Sequence, residues 1–124
     1  MRINQNAIIT ILLSGFTICA DVAVQWFDTE WIEPSREEGW SEPQEFKPSG
    51  SRRLQLRLND DQDCLDVYYD TKSRINFFNM GWTRLEYHAR DELKSRWLQG
   101  TLNPDDNHWV IGGEAKVWFK RAQE

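Results

Sequence analysis

The stretch Arg53–Leu58, which reads RLQLRL, decides the fold of this chain. Three leucines alternate with three polar residues, and a period of two is typical of a β-strand with one face in the core and one in water. Residues 64–69, CLDVYY, repeat the alternation, and residues 59–63 between the two segments, NDDQD, are typical of a turn. The sequence therefore predicts a β-hairpin over residues 53–69.

Further segments with apolar residues of one parity extend this pattern through the chain. They are residues 22–26, 82–89 and 114–120, and a strong turn signal, NPDDN, occupies residues 103–107. Short strands separated by turns predict a mainly β fold, a small antiparallel β-sandwich or barrel. Residues 91–99 fit two interpretations. Ala89, Leu93 and Trp97 have the spacing of a short helix, whereas Leu93, Ser95 and Trp97 alternate as in a strand, which we favour slightly together with irregular structure.

The first twenty residues have the pattern of a secretory signal peptide. Arg2 precedes an apolar run over residues 7–18, and Ala20 comes directly before Asp21. The run of about twelve residues is shorter than the roughly twenty that a membrane-spanning helix needs. We expect residues 1–20 to be removed, residues 21–124 to form a single β-rich domain, and the protein to be secreted or extracytoplasmic, with no permanent membrane span.

Charge and cysteine content narrow the range of partners. The chain has 15 basic and 20 acidic residues, a net charge of −5, which is unfavourable for binding nucleic acid. Loss of Cys19 with the leader would leave Cys64 as a single thiol in an oxidising compartment. We expect Cys64 either to be buried in a monomer or to link a dimer, and we favour burial.

Residues 34–50 form a predicted long loop that differs from the rest of the chain. The segment contains three prolines, two glycines and four acids, yet it also carries Trp40 and Phe46. The loop predicts a ligand-binding surface made by Trp40, Arg36, Glu42 and Gln44, joined by Trp118, whose strand parity is opposite to that of its apolar neighbours. In the alternative interpretation, Trp40 folds back and closes one end of the sandwich.

The remaining tryptophans are assigned by parity and by their neighbours. Trp26 is predicted to lie in the core and Trp31 at a register break close to a bulge. Trp82, Trp97 and Trp109 have apolar neighbours and are predicted to fill the core or its edges.

A catalytic alternative rests on the two histidines. Arg84, Glu86 and His88 would share one face of a strand, and with His108 they could supply the acid, base and cation of a ribonuclease-like or glycan-hydrolysing site. A solvent-facing strand of mixed charge produces the same row without catalysis, so we favour the polar surface.

The acidic clusters at residues 60–63 and 105–106 lack the spaced ligands of a calcium loop, and we expect no metal and no cofactor. The leading hypothesis is a secreted, non-catalytic, tryptophan-rich domain, such as an effector or an inhibitor, that binds a protein or carbohydrate partner. The small hydrolase is the second hypothesis. A structural envelope or surface component linked through Cys64 is the third.

Overall fold

The computed structural model describes residues 21–58 and 62–122. The predicted signal peptide and residues 60 and 61 of the acidic cluster lie outside the described residues. In the described part of the chain, two sheets pack face to face and do not close into a barrel, so the prediction of a small β-sandwich is confirmed. The strands are β1 (Asp21–Ala23), β2 (Gln44–Phe46), β3 (Arg53–Leu58), β4 (Asp63–Tyr69), β5 (Arg74–Asn79), β6 (Leu85–Asp91), β7 (Arg96–Leu102), β8 (Asn107–Ile111) and β9 (Ala115–Arg121).

One sheet has the order β1-β8-β5-β4-β3 and the other β2-β9-β6-β7. The predicted hairpin is the β3–β4 pair, in which Leu56 lies opposite Leu65. Alternate residues of both sheets meet in a core that includes Leu65, Phe77 and Tyr87, with the rings of Phe77 and Tyr87 stacked at 4.5 Å. The alternating pattern therefore predicted which face of β3 and β4 lies inside.

Residues 91–99 contain no helix. They span the end of β6, a turn over residues 92–95 and the start of β7. The Asp91 carboxylate accepts hydrogen bonds from the backbone amides of Leu93 and Lys94, and Ser95 adopts a positive φ of 52°. These contacts stabilise a tight hairpin turn, which leaves Leu93 exposed to solvent.

The N-terminal segment is shorter as a strand than predicted. β1 pairs in parallel with β8 and ends at Ala23, and Val22 is 43% exposed rather than buried. The chain then crosses to the other sheet, where Phe27 and Trp97 form an isolated antiparallel bridge. Val24 and Trp26 pack against the core along this crossing, so the parity prediction holds for these two residues but not for Val22.

The predicted loop over residues 34–50 is partly regular. Residues Arg36–Glu38 form one turn of 3₁₀ helix, which begins at Ser35 and ends at Gly39, whose φ is 95°. β2 follows as an edge strand paired with β9, between Pro43 and Pro48, in a position that tolerates nearby prolines. Residues 27–42, here called the strap, cross the outer face of the four-stranded sheet.

Candidate functional site

The strap covers the face on which Trp118 and His88 lie. Backbone hydrogen bonds join Phe27 to Trp97, and Ser41 donates to the Phe119 carbonyl at 2.9 Å. Trp40 is only 8% exposed and Trp118 only 2%. The expected exposure of Trp40 and Trp118 is therefore wrong, and the alternative interpretation, in which Trp40 folds back onto the sandwich, agrees with its burial. Parity assigned Trp118 to the outer face correctly, but that face is covered by the strap.

His88 lies at the centre of the layer of aromatic side chains between the strap and the outer face of the four-stranded sheet. Tryptophans from the strap and from neighbouring strands surround its ring, which is stacked on that of Trp97 with an interplanar angle of 6°. The other ring contacts are with Trp31 at 5.7 Å, Trp40 at 6.3 Å and Trp118 at 5.4 Å between centroids.

Both ring nitrogens of His88 are engaged by protein groups. The Trp31 indole N–H donates to Nε2, so the neutral ring carries its proton on Nδ1, which donates to Gln99 Oε1 at 3.1 Å. Burial lowers the pKa of His88, an effect opposed by the hydrogen bond to Gln99. A protonated ring would direct an N–H at the Trp31 N–H, so this packing requires a neutral histidine.

The structure does not bring the two histidines together. His88 and Tyr87 are consecutive in β6 and therefore point to opposite faces of the sheet. His108 lies on β8 beside Tyr87, whose hydroxyl is 2.8 Å from His108 Nδ1. Burial lowers the pKa of His108, and Asp106 opposes the shift. The predicted acid–base pair across one substrate is not formed.

The other residues of the catalytic alternative are also separated. Glu86 lies opposite Lys120 on β9 and shares with His88 a surface pocket of about 310 Å³. Arg84 precedes β6 and is exposed outside that pocket. Because His88 is 3% exposed and hydrogen-bonded at both nitrogens, the geometry gives the hydrolase hypothesis no support.

The predicted loop site is assembled, but in a different form. Arg36, Trp40, Glu42 and Gln44 line one groove of about 610 Å³ between β3 and the strap. Arg36 Nη1 and Glu42 Oε1 form an exposed ion pair at 2.8 Å. These two charges bind each other, and the Trp40 ring packs inward. The groove therefore has fewer side chains available to contact a ligand than the sequence predicted.

A different cleft lies at one end of the sandwich, where three hairpin turns and the crossing N-terminal segment meet. This turn-end cleft has a volume of about 540 Å³. Its turns are β4–β5, β6–β7 and β8–β9, and turns at the end of a rigid sandwich are positions that commonly carry binding residues. The cleft is lined by residues 24–26, Tyr69, Ser73, Lys94, Arg96 and residues 109–113.

Aromatic and cationic side chains alternate around the turn-end cleft. Each aromatic residue of its lining has a guanidinium group over its ring, an arrangement that holds both partners in place. The pairs, with distances from Cζ to the ring centroid, are Arg96 and Trp26 at 4.8 Å, Arg74 and Trp109 at 4.5 Å, and Arg52 and Tyr69 at 5.1 Å.

The carboxylates beside these arginines are already hydrogen-bonded. Asp91 accepts from Arg96 Nε at 3.0 Å, and Asp70 accepts from Arg74 Nε at 2.7 Å. Burial opposes ionisation of Asp70, but hydrogen bonds from Asn76, Arg74 and the Lys72 amide outweigh it and lower its pKa to about 2. Asp70 therefore stays ionised at neutral pH, and each of the two carboxylates orients its arginine.

Two glycines form one wall of the turn-end cleft. A Cβ added at Gly112 would lie 3.2 Å from the Trp26 ring and 3.3 Å from Ile75, so this glycine allows Trp26 to approach the β8–β9 turn. The Trp26 indole N–H donates to the Ile111 carbonyl at 2.8 Å. A Cβ at Gly113 would meet no atom within 4 Å, so the cleft is open at that position.

At the opposite end of the sandwich, Trp82 is 85% exposed, contrary to the prediction that it fills the core or an edge. Its loop is nevertheless firmly held. The Asn79 side chain donates to the carbonyls of Thr83 and Leu102 and accepts from the Gly81 amide. An added Cβ at Gly81 would lie 2.4 Å from the Gln62 carbonyl oxygen. The loop is closely packed and presents a single tryptophan to solvent.

The sequence contained part of the signal for the turn-end cleft. The sequence identifies Trp26 as an aromatic residue of the N-terminal segment, but nothing in the sequence places it beside Gly112 in the β8–β9 turn. The contributing turns are separated by tens of residues, and only the pairing of the strands brings them to the same end.

Cys64 is 3% exposed, which agrees with the favoured expectation of a buried thiol, and its Sγ lies 4.0 Å from the Met80 sulfur. Among residues 21–58 and 62–122, no group of three or more potential ligands is placed to hold a metal ion. No helix in the same ranges is long and apolar enough to cross a bilayer.

No protein-family model, curated protein or solved structure matches this chain.

Proposed function

We propose that the chain is a secreted, non-catalytic recognition domain that binds a short carbohydrate chain in the turn-end cleft. The observation that carries the proposal is the convergence of Trp26, Tyr69 and Trp109 from three separate elements on one cleft. Aromatic rings offer flat apolar surface with little loss of side-chain entropy on binding. The signal-peptide pattern of residues 1–20 supports secretion.

The size and chemistry of the cleft fit this function. A volume of about 540 Å³ lies within the range of small-ligand pockets, roughly 300–1,000 Å³. The lining combines aromatic surface with the hydroxyl of Ser73 and the exposed backbone of the β8–β9 turn, groups that can bond to sugar hydroxyls. The arginines held over the rings limit ring movement, which reduces the entropy lost on binding.

The test is isothermal titration of the protein with a panel of short neutral and acidic oligosaccharides. Gly113→Trp places a bulky side chain at a position where there is room for its Cβ, so we expect binding to be lost while the melting temperature is unchanged. Gly50→Trp is the matched control, because Gly50 lies in a different turn outside the cleft and its added Cβ would make only ordinary contacts. Equal binding by both variants would refute the cleft as the site.

A second candidate function, recognition of a protein partner, is favoured by Trp82. An aromatic side chain that is 85% exposed on a closely packed loop resembles the rigid anchor residues that dominate protein interfaces. Affinity capture with the wild type and with Trp82→Ala would test it. Partners captured equally by both proteins would exclude Trp82 as the anchor.

A further inference from the structure

Both charged side chains that line the turn-end cleft, Lys94 and Arg96, are cations, although the chain as a whole has a net charge of −5. From this contrast we propose that the ligand of the cleft is an acidic oligosaccharide, one that carries carboxylate or sulfate groups. The inference rests on the proposed function and names the ligand class that the site selects.

Lys94 is the cation that most directly requires an anion. It lies in the exposed β6–β7 turn, and within residues 21–58 and 62–122 it takes part in no ion pair. A neutral sugar that displaced water from this ammonium group could accept its hydrogen bonds through hydroxyl oxygens but would not balance its charge. A carboxylate or sulfate would replace that water with a charge-assisted hydrogen bond.

Arg96 is held in an orientation that suits the same ligand. Asp91 binds its Nε, and the guanidinium plane lies 4.8 Å from the centre of the Trp26 ring. An acidic sugar has an apolar C–H surface together with an anionic substituent. Arg96 lies over one face of the Trp26 ring, so the pair brings a cation and an aromatic surface together in the cleft, which matches both parts of such a ligand.

The carboxylates near the cleft do not oppose this ligand. Asp91 and Asp70 each bind an arginine, and Asp91 is buried, so their charges are largely compensated. Because Arg74 and Arg96 are the partners of these two acids, the cations in excess are Lys94 and Arg52, which lies over the Tyr69 ring. We therefore expect the cleft to attract anions although the overall charge of the protein repels them.

The experiment compares Gly113→Glu with Gly113→Gln, which have the same size but differ by one negative charge at the cleft wall. An oligogalacturonate supplies carboxylates, a sulfated oligosaccharide supplies sulfates, and a cello-oligosaccharide is the neutral probe. We expect the wild type to bind an acidic probe at least about tenfold more tightly than the neutral one, the scale of one charged hydrogen bond. We expect Gly113→Glu to weaken acidic binding about tenfold relative to Gly113→Gln, and added salt to weaken wild-type binding.

Lys94→Gln provides a second, independent variant, because it alters an exposed turn residue without burying or exposing apolar surface. A comparable loss of acidic binding in Lys94→Gln would support the inference, and the two acidic probes would show whether carboxylate or sulfate is preferred. Equal affinity for acidic and neutral probes would overturn the inference but leave the proposed function intact. Failure to bind any saccharide would overturn both.

Discussion

Trp40 and Trp82 provide a matched test of the covered sheet face, because the same substitution to alanine should have opposite consequences at the two sites. Trp40 packs against His88 and under the Lys120 side chain and is only 8% exposed, whereas Trp82 is 85% exposed. A buried tryptophan removes roughly 200 Å² from water. At about 25 cal/mol per Å², this corresponds to about 5 kcal/mol, an upper bound because unfolded chains are partly compact.

We therefore expect Trp40→Ala to lower the free energy of unfolding by about 3–5 kcal/mol, the measured range for truncation of buried aromatic residues. Trp82→Ala should change it by no more than about 0.5 kcal/mol. Equilibrium urea unfolding at pH 7.5, followed by tryptophan fluorescence and circular dichroism, measures both values. A Trp40→Ala protein as stable as wild type would refute the packing of the strap and restore the exposed loop tryptophan that the sequence predicted.

Three further predictions follow from buried groups. Burial lowers the pKa of His88 and of His108, so below about pH 6.5 the unfolded chain binds more protons than the folded chain. The free energy of unfolding should therefore fall as the pH is lowered from 7.5 to 5. A constant or rising free energy over this range would contradict the neutral-histidine packing. Cys64, 3% exposed, should react with a thiol reagent slowly in native buffer and rapidly in denaturant, and a disulfide-linked dimer through Cys64 in non-reducing mass spectrometry would contradict its burial. Gly100→Ala should lower the free energy of unfolding by about 1–3 kcal/mol, since its Cβ would lie 2.8 Å from the ring of buried Tyr87. Gly113→Ala should leave the free energy of unfolding nearly unchanged, and equal effects of the two substitutions would contradict the core packing.

The fold could be predicted from the sequence where a single strand carries its own pattern. The leucines of Arg53–Leu58 alternate clearly enough to predict their burial without any other part of the chain. Residues 91–99 could not be assigned, because Leu93 and Trp97 fit both periods. The turn depends on the side chain of Asp91 and on the positive φ of Ser95, which no apolar pattern records.

The surfaces were less predictable because exposure depends on distant segments. The parity of Trp118 indicates its side of the sheet, but whether that side meets water depends on the strap, about 80 residues earlier in the chain. The apolar neighbours of Trp82 suggested burial, whereas the hydrogen bonds of Asn79 fix a loop that turns this ring outward. The turn-end cleft exists only after strand pairing has brought its turns together.

The seven tryptophans of the chain make possible one direct measurement of where the ligand binds. Each indole N–H gives its own signal in a ¹H–¹⁵N correlation spectrum, which can be followed during titration with an acidic oligosaccharide. We predict that the Trp26 indole signal, whose N–H bonds to the Ile111 carbonyl in the cleft, shifts with saturation while those of Trp40 and Trp82 stay in place. Saturable shifts at Trp82 or Trp40 with none at Trp26 would contradict binding in the turn-end cleft.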